Sequence, residues 1–369
     1  MKLHVEKANL VQLLQKVQNI TEKKTTMSIL SNVMLKASGD QKLEFTATDL
    51  QMSFWSCVGA QVEIAGSTTV SARKFLETVR EIPGELVTLE SLPNDKLLVL
   101  AGRSRFELST IAPESFPYIT FYEDGEFVKC EAHAIRTAFD KTLYVVPMEE
   151  DPYSIAGLFW HPLDSDLYRF VSSDGHRLAF FELPRKAFSH LDVGNGIIVP
   201  RKAVQEMGRL LEKETEVLIS VHENCLIFKT PDTLFSTQLL EGEFPEYEEI
   251  IPVERPFSFA IDREVLEAAL KRMLIFSNQR WRHVRFAISD GSLHLEAGNP
   301  EIGTADDTLD VDYSGEEFIV AFNTRYVIET VQVIEGSRVR FEWVDNYHGG
   351  VFVGPDDPGY VSLIMPMVI

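Results

Sequence analysis

Hydrophobic positions along the chain change their spacing three times in the same way. The segments are KLHVEKANLVQLLQKV from Lys2, EFVKCEAHAIRTAFDKTL from Glu126 and PFSFAIDREVLEAALKRML from Pro256. In each, apolar residues first alternate and then recur with a period of about 3.6. Alternation gives a strand with one buried face, and the longer period gives an amphipathic helix. Each segment therefore predicts a strand running into a helix, with Asp262 a suitable N-cap for the third. A second block follows each time as LEFTATDLQM (43–52), LYRFVSSDGHRL (167–178) and LHLEAGNPEI (293–302), a strand that ends in a polar turn. A third block, TTVSARKFLETV from Thr68, GIIVPRKAVQEM from Gly196 and EFIVAFNTRYVIETV from Glu317, is again strand then helix. Hairpins such as LLVLAGRSRFELSTI complete each copy.

The copies recur at about 125 residues, the size of a domain rather than a solenoid repeat. They are divided by FPYITFYEDGEF near residue 120 and FPEYEEIIPVERP near residue 250, so three domains are expected at 1–123, 124–252 and 253–369. Each holds two helices and roughly eight short strands, which predicts an α+β architecture with two helices packed on antiparallel sheets, three times over. The six helices are expected at 9–24, 71–82, 132–143, 200–214, 262–282 and 323–334.

Charge sharpens this picture. The chain carries 35 Lys and Arg against 56 Asp and Glu, a net charge of −21 that by itself argues against nucleic acid as a partner. The acidity is uneven, however. The six expected helices hold 18 basic and 11 acidic residues, so all the excess negative charge lies outside them. Helices facing one way would present a positive surface on a negative body, fit to hold a phosphate backbone without reading sequence. No apolar run reaches the length of about 18 residues that a membrane helix needs. Cys57, Cys130 and Cys225 are far apart and form no CxxC pair, which fits a reducing cytoplasm.

Motifs for catalysis are missing. The chain has no GxxxxGK[ST], HExxH, GxSxG or suitably placed GxGxxG, and its nine histidines have no metal-ligand spacing. No metal or cofactor is expected. One stretch, SDGHRL, places Asp174, His176 and Arg177 around a glycine and leaves open a second reading, a hydrolase or nucleotide-processing enzyme centred on Asp174 and His176. The plainer reading is an Asp-Gly turn between two strands.

The ordered set SILSNVML (28–35), TATDLQM (46–52), TVSARKF (69–75), GRSRFELST (102–110), SDGHRLA (173–179), IVPRK (198–202), EGEFPEYEEIIP (241–252), LIFSNQRWRHVR (274–285), NPE (299–301) and LIMPMVI (363–369) resembles the bacterial sliding clamps, the beta subunits of replicative DNA polymerase. The resemblance spans essentially the whole chain. It implies a head-to-tail ring dimer of six domains, with helices lining a hole through which duplex DNA passes, and no catalytic activity. It nominates Lys24, Arg73, Tyr153, Arg201 and Lys202 as DNA contacts. For the dimer seam it nominates Phe106 and Leu108 opposite Ile275 and Phe276, with Lys74, Arg103 and Arg105 facing Glu301, Asp306 and Asp307. The family is often richer in acids after NPE than the Ile302, Gly303 and Thr304 found here, so fewer seam ion pairs are expected.

The resemblance also implies a groove that takes short peptides from the replicative polymerase, the clamp loader and repair polymerases. Its walls fall on Ile155, Ser173, Gly175, His176, Arg177, Leu178, Pro245, Ile250, Leu363, Met365, Pro366 and Met367. Leucine, isoleucine and methionine offer an adaptable apolar slot, and His176 and Arg177 are expected to donate to peptide carbonyls. Pro152, Gly350 and the Val368-Ile369 end depart from the family pattern and point to a less acidic peptide preference.

Overall fold

The computed structural model describes the chain except residues 22–26, 122–124, 150–154, 164–165, 189–190, 279, 281 and 369, so Lys24, Tyr153, Pro152 and Ile369 lie outside the described residues. The first repeat runs β1 (Lys2–Glu6), α1 (Lys7–Val17), β2 (Asn32–Ser38), β3 (Lys42–Thr48), β4 (Met52–Gly59), β5 (Gln61–Ile64), β6 (Gly66–Ser71), α2 (Ala72–Glu81), β7 (Leu86–Leu92), β8 (Lys96–Ala101) and β9 (Ser104–Ile111). The second runs β10 (Val128–Glu131), α3 (Ala132–Thr142), β11 (Gly157–Pro162), β12 (Leu167–Ser173), β13 (Arg177–Pro184), β14 (Ile197–Pro200), α4 (Arg201–Leu210), β15 (Glu216–His222), β16 (Cys225–Lys229) and β17 (Thr233–Gln238). The third runs β18 (Phe257–Asp262), α5 (Arg263–Phe276), β19 (His283–Ser289), β20 (Ser292–Asn299), β21 (Gly303–Asp310), β22 (Phe318–Asn323), α6 (Thr324–Val333), β23 (Arg338–Trp343), β24 (Gly350–Val353) and β25 (Tyr360–Ile364).

The helices begin where the sequence places a cap. Asp262 accepts from the backbone N–H groups of Glu264 and Val265, both at 3.0 Å, and Asn323 does the same for Arg325. Two helices are shorter than their periodicity suggests. Helix α1 stops at Val17 although Ile20 keeps the apolar rhythm, because the backbone tightens and Ile20 N–H bonds to Val17 O. Helix α5 stops at Phe276, where Ser277 turns to extended backbone and donates its hydroxyl to Leu274 O. Each helix buries one stripe, as with Phe75, Leu76 and Val79 of α2 or Leu266, Leu270 and Met273 of α5. Cys57 and Cys130 are buried free thiols, and burial pushes the Cys130 thiol up to about 12.

The strand order carries the main architectural message. By contacts the chain divides into two compact units, one of residues 1–133, 188–192 and 205–239, the other of 134–187, 193–204 and 240–369. In the first, eight strands run β6-β2-β3-β4-β17-β16-β15-β10, so repeats 1 and 2 share one sheet through the antiparallel pair β4–β17. In the second, eight strands run β14-β11-β12-β13-β25-β24-β23-β18, and repeats 2 and 3 share a sheet through β13–β25. These are the same order in equivalent strands. The registers match too. Ala47 and Ser172 each lie two residues before a turn-forming aspartate and face Phe54 and Ala179, which pair across the junctions with Phe235 and Ser362.

Each junction thus joins a four-strand half to a complementary four-strand half. Two halves are left over. One is the four-stranded sheet β22-β19-β20-β21, which ends at β21. The other is β9-β8-β7-β1, attached to β6 only through Thr69–Ile111 and Val70–Thr110, so residues 104–109 of β9 pair on one side alone.

Candidate functional site

Three equivalent turns connect the second and third strands of the three-strand motif in each repeat. Asp49 accepts from the backbone of Gln51 and Met52, Asp174 from His176 and Arg177, and Asn299 from Glu301. The side chain mimics a backbone turn in each case. Asp174 is therefore a structural residue, as its counterparts are.

What distinguishes the middle copy is Arg177. Its side chain is only 7% exposed. Nε donates to Asp174 Oδ2 at 2.9 Å, Nη1 to Glu329 Oε2 at 2.7 Å and Nη2 to Tyr144 O at 3.1 Å. The guanidinium also lies over the rings of Tyr326 (4.1 Å) and Tyr144 (5.2 Å). Burial works against its charge, but Asp174 and Glu329 outweigh it and hold its pKa above the usual arginine value. Three of its five N–H groups thus serve the chain itself, and two are left for the expected donation to peptide carbonyls. Asp174 is not free to orient His176 as a base.

The other groove residues separate into exposed and buried sets. Gly175 and His176 are exposed, Ser173 and Ile155 half-buried, and Pro245, Ile250 and Met365 exposed. Met365 N–H bonds to His176 O (2.9 Å) and Met367 N–H to Ala321 O (2.8 Å), which pins the segment after β25 beside the turn; Pro366 and Met367 are half-buried. Leu178 and Leu363 are 0% exposed and face each other across β13–β25, so they form the layer beneath the groove rather than its surface. The segment carrying Pro245 and Ile250 is anchored by residues that sequence reasoning missed. Phe244 stacks on Phe159 at 4.9 Å, and buried Tyr247 joins Val171, Leu178 and Phe180 while its hydroxyl meets His161 Nδ1 at 2.7 Å. Arg169 reaches Glu182 (2.9 Å through Nε) and Glu248 (3.2 Å). The signal for this anchor is the aromatic spacing within FPEY, a stretch that reads along the sequence only as a domain border.

The basic residues lie where expected but are less free than a count implies. The six observed helices carry 14 Lys and Arg against seven Asp and Glu. Arg73 and Lys74 are exposed on α2 and both pair with Glu77, at 2.9 and 2.8 Å. Lys202 is exposed at the start of α4. Arg201 is half-buried, its Nη1 held by the carbonyls of Leu143 and Val146, and burial lowers its pKa below the usual arginine value. Exposed pairs of this kind are weak and exchange partners at little cost.

At the open sheet edges, Phe106 is 39% exposed and Leu108 half-buried, so neither is a core residue of its own repeat. Arg103 and Arg105 are exposed beside them, and Arg105 bonds to Glu107 at 2.9 Å. On the third repeat, α5 packs on β21 with Arg272 Nε bonded to Asp307 at 3.0 Å, which places exposed Ile275 and half-buried Phe276 beside that edge. Glu301 lies in the turn of the β20–β21 hairpin and Asp306 on β21.

Among the described residues no cluster of three or more His, Cys, Asp or Glu side chains is placed to hold a metal ion, and no helix is long and apolar enough to cross a membrane. The fold and these surfaces define a scaffold built from three like domains, whose distinguishing residues hold structure and present contacts rather than react. Comparison with known proteins gives the family. Models of the DNA polymerase III beta subunit match its N-terminal domain at residues 1–120, its central domain at 130–246 and its C-terminal domain at 248–368. The chain is 33% identical over its full length to the complete beta sliding clamp of Caulobacter vibrioides and 31% to that of Vibrio cholerae. Its fold superposes on the DNA polymerase sliding clamp of Caulobacter crescentus with a TM-score of 0.91 at 32% identity, and on a Pseudomonas aeruginosa sliding clamp bound to griselimycin with 0.92 at 31%, in both cases over the whole of each chain. The chain belongs to the DNA polymerase III beta subunit family, the bacterial sliding clamps. Its function is that of a DNA sliding clamp, a processivity factor without catalytic activity, and the hydrolase reading of Asp174 and His176 is not supported.

Proposed function

We propose that two copies close a ring through the open halves of their sheets, and that the ring holds duplex DNA against its helices in the bacterial cytoplasm. The observation that carries this reading is the repeated junction. The two intrachain junctions have one strand order and one register, and the leftover halves, β22-β19-β20-β21 and β9-β8-β7-β1, are the two complements of a third. In repeat 1, Phe106 faces Val99 as Phe235 faces Phe228 and Ser362 faces Phe352. In repeat 3, Ala305 faces Ala297 as Phe54 faces Ala47 and Ala179 faces Ser172. The third junction then pairs Phe106 with the partner's Ala305, Arg105 with the partner's Asp306 and Leu108 with the partner's Gly303. A heterologous contact that closes on itself removes both open edges.

Arg73, Lys202, Arg201, Lys24 and Tyr153 are the proposed DNA contacts, and the exposed pairing of Arg73 with Glu77, which exchanges at little cost, suits a hold that slides. The turn at His176, with Ile155, Pro245, Ile250, Met365, Pro366 and Met367, is the proposed groove for polymerase, clamp-loader and repair-polymerase peptides. The three domains are taken as 1–123, 124–252 and 253–369.

Cysteines at Phe106 and Ala305 test the seam. Mild oxidation of the Phe106→Cys/Ala305→Cys variant should give covalent dimers, and a cross-linked ring loaded on nicked circular DNA should stay through gel filtration in high salt until the circle is cut. Monomers after oxidation, or equal loss from circular and linear DNA, would overturn the reading.

A further inference from the structure

Repeat 3 leaves open a place that repeat 1 fills from its own chain. In repeat 1, β1 is paired on both sides, with β7 on one and β5 on the other, the latter through Leu3–Val62 and His4–Gln61. Strand β18 is the equivalent of β1, since each leads directly into its repeat's first helix, yet among the described residues it pairs with β23 alone and ends its sheet. The segment 311–317, which corresponds to the one holding β5, forms no strand. A cleft of about 460 Å³ lies there instead. Phe257, 43% exposed, and Phe318 both stack on buried Trp343 at its base, with ring centroids 5.8 and 5.1 Å apart. Glu316 and Glu317 stand exposed at its rim with no ion pair among the described residues, and Asp345 is a third rim acid, fixed by the N–H groups of Tyr347 and His348.

We propose that the outer edge of β18 accepts an extended peptide bearing arginine or lysine, added as a strand where β5 lies on β1. The edge has no strand partner among the described residues, although Ala260 O accepts from Arg338 Nη2 at 3.0 Å, and such an edge supplies main-chain donors and acceptors for an added segment. The aromatic base offers ring faces to a guanidinium or to an apolar side chain. Charge selects the base. In repeat 1 the added strand brings the acid, Glu63, to Lys2 and His4 at 2.7 and 2.8 Å. In repeat 3 the positions of β18 equivalent to Lys2 and His4 are Ser258 and Ala260, and the acids Glu316, Glu317 and Asp345 line the cleft beside that edge, so the incoming strand must bring the cation. The cleft shares no residue with β9 or β21, so ring closure through those edges and occupation of β18 are separate events.

The experiment uses the full-length chain and two labelled probes, acetyl-Arg-Val-Arg-Val-Arg-amide and its glutamate counterpart, followed by fluorescence anisotropy. Hydrogen exchange of the chain with and without unlabelled probe locates the binding. The basic probe should bind, slow exchange at residues 257–260, and bind about threefold to tenfold more weakly to Glu316→Gln/Glu317→Gln, while the acidic probe does not bind. Both substitutions are of exposed carboxylates, and an unchanged unfolding midpoint confirms that the variant is folded. Equal affinity for the double variant, or protection that misses 257–260, would overturn the proposal in favour of general attraction to an acidic surface. Protection of 257–260 that grows with protein concentration in the absence of probe would also overturn it, by making a second copy of the chain the occupant.

Discussion

Replacing Arg177 by Met separates two accounts of the turn it occupies. The substitution keeps the side-chain stem and removes the guanidinium. It leaves Asp174 Oδ2, Glu329 Oε2 and Tyr144 O without their donor, and it removes the stacking on Tyr326 and Tyr144. Stranding the partner of a fully buried pair costs about 3–5 kcal/mol. Here Asp174 and Glu329 are 15% and 24% exposed, so water relieves part of the penalty and the lower end, about 3 kcal/mol, is the appropriate figure. At roughly 2–4 °C per kcal/mol for a cooperative unit of this size, the midpoint of thermal unfolding should fall by about 6–12 °C. Glu329→Gln keeps an acceptor in place and should cost only about 1 kcal/mol. Circular dichroism melts of the full-length chain measure both. If Arg177 served mainly to grip peptides, Arg177→Met would melt within about 2 °C of the parent and lose peptide affinity instead, and the assignment of its guanidinium to structure would be refuted.

Three further outcomes follow from the same contacts. Ile275→Asp/Phe276→Asp puts two charges on the apolar patch beside β21 and should give monomers in sedimentation velocity; a persistent dimer would remove these residues from the seam. Arg73→Gln/Lys202→Gln should weaken DNA binding and lower the slope of log K against log salt by about 1 for each phosphate no longer neutralised, and an unchanged slope would exclude both. His161 is half-buried against Phe159 and Tyr247, and burial, partly countered by Glu248, holds its pKa below the usual histidine value. The folded state therefore resists its protonation, and the stability this provides is present above the unfolded-state pKa of about 6.5 and is lost as pH falls below it. His161→Gln should flatten the decline in melting temperature between about pH 7 and 5, and equal declines in parent and variant would show that the imidazole is not responsible.

Much of the fold was legible in local pattern because each repeat begins with a strand and helix whose periods differ. Asp262 caps where it was expected, and the three turns at Asp49, Asp174 and Asn299 are equivalent in bonding as well as in position. What pattern does not encode is which distant segments meet. Arg177 reads as an available cation in SDGHRL; only the approach of Tyr144, Tyr326 and Glu329, the last 152 residues away, shows that three of its donors serve the chain itself. The overrun of α1 has a local cause, since Ile20 is buried without being helical. The junctions were invisible for the same reason as Arg177. Ser56 meets Thr233 across 177 residues, and neither strand carries a mark that says so.

The two edges left open also explain how the wrong pairings are avoided. A free strand edge invites any other, so a chain with two of them risks joining like to like. Along β21 the exposed side chains include Asp306 and Asp310, while β9 carries Arg105, with Arg103 just before it. Pairing two β21 edges would set acids against acids, whereas β9 carries Glu107 as well as Arg105. Setting β9 on β21 brings Arg105 to an acidic edge, and in the register derived from the two intrachain junctions it meets Asp306 directly. Cross-strand pairs of opposite charge contribute roughly 0.2–1 kcal/mol and like charges cost a similar amount. A ring has two such seams, so Arg105→Asp replaces attraction by repulsion twice, and the dimer dissociation constant should rise by about tenfold or more. Adding Asp306→Arg restores opposite charges in the same places and should recover most of that affinity in sedimentation equilibrium. A double variant that stays as weak as Arg105→Asp would show that the two residues do not face each other, and the register transferred from the intrachain junctions would be wrong even if the ring were right.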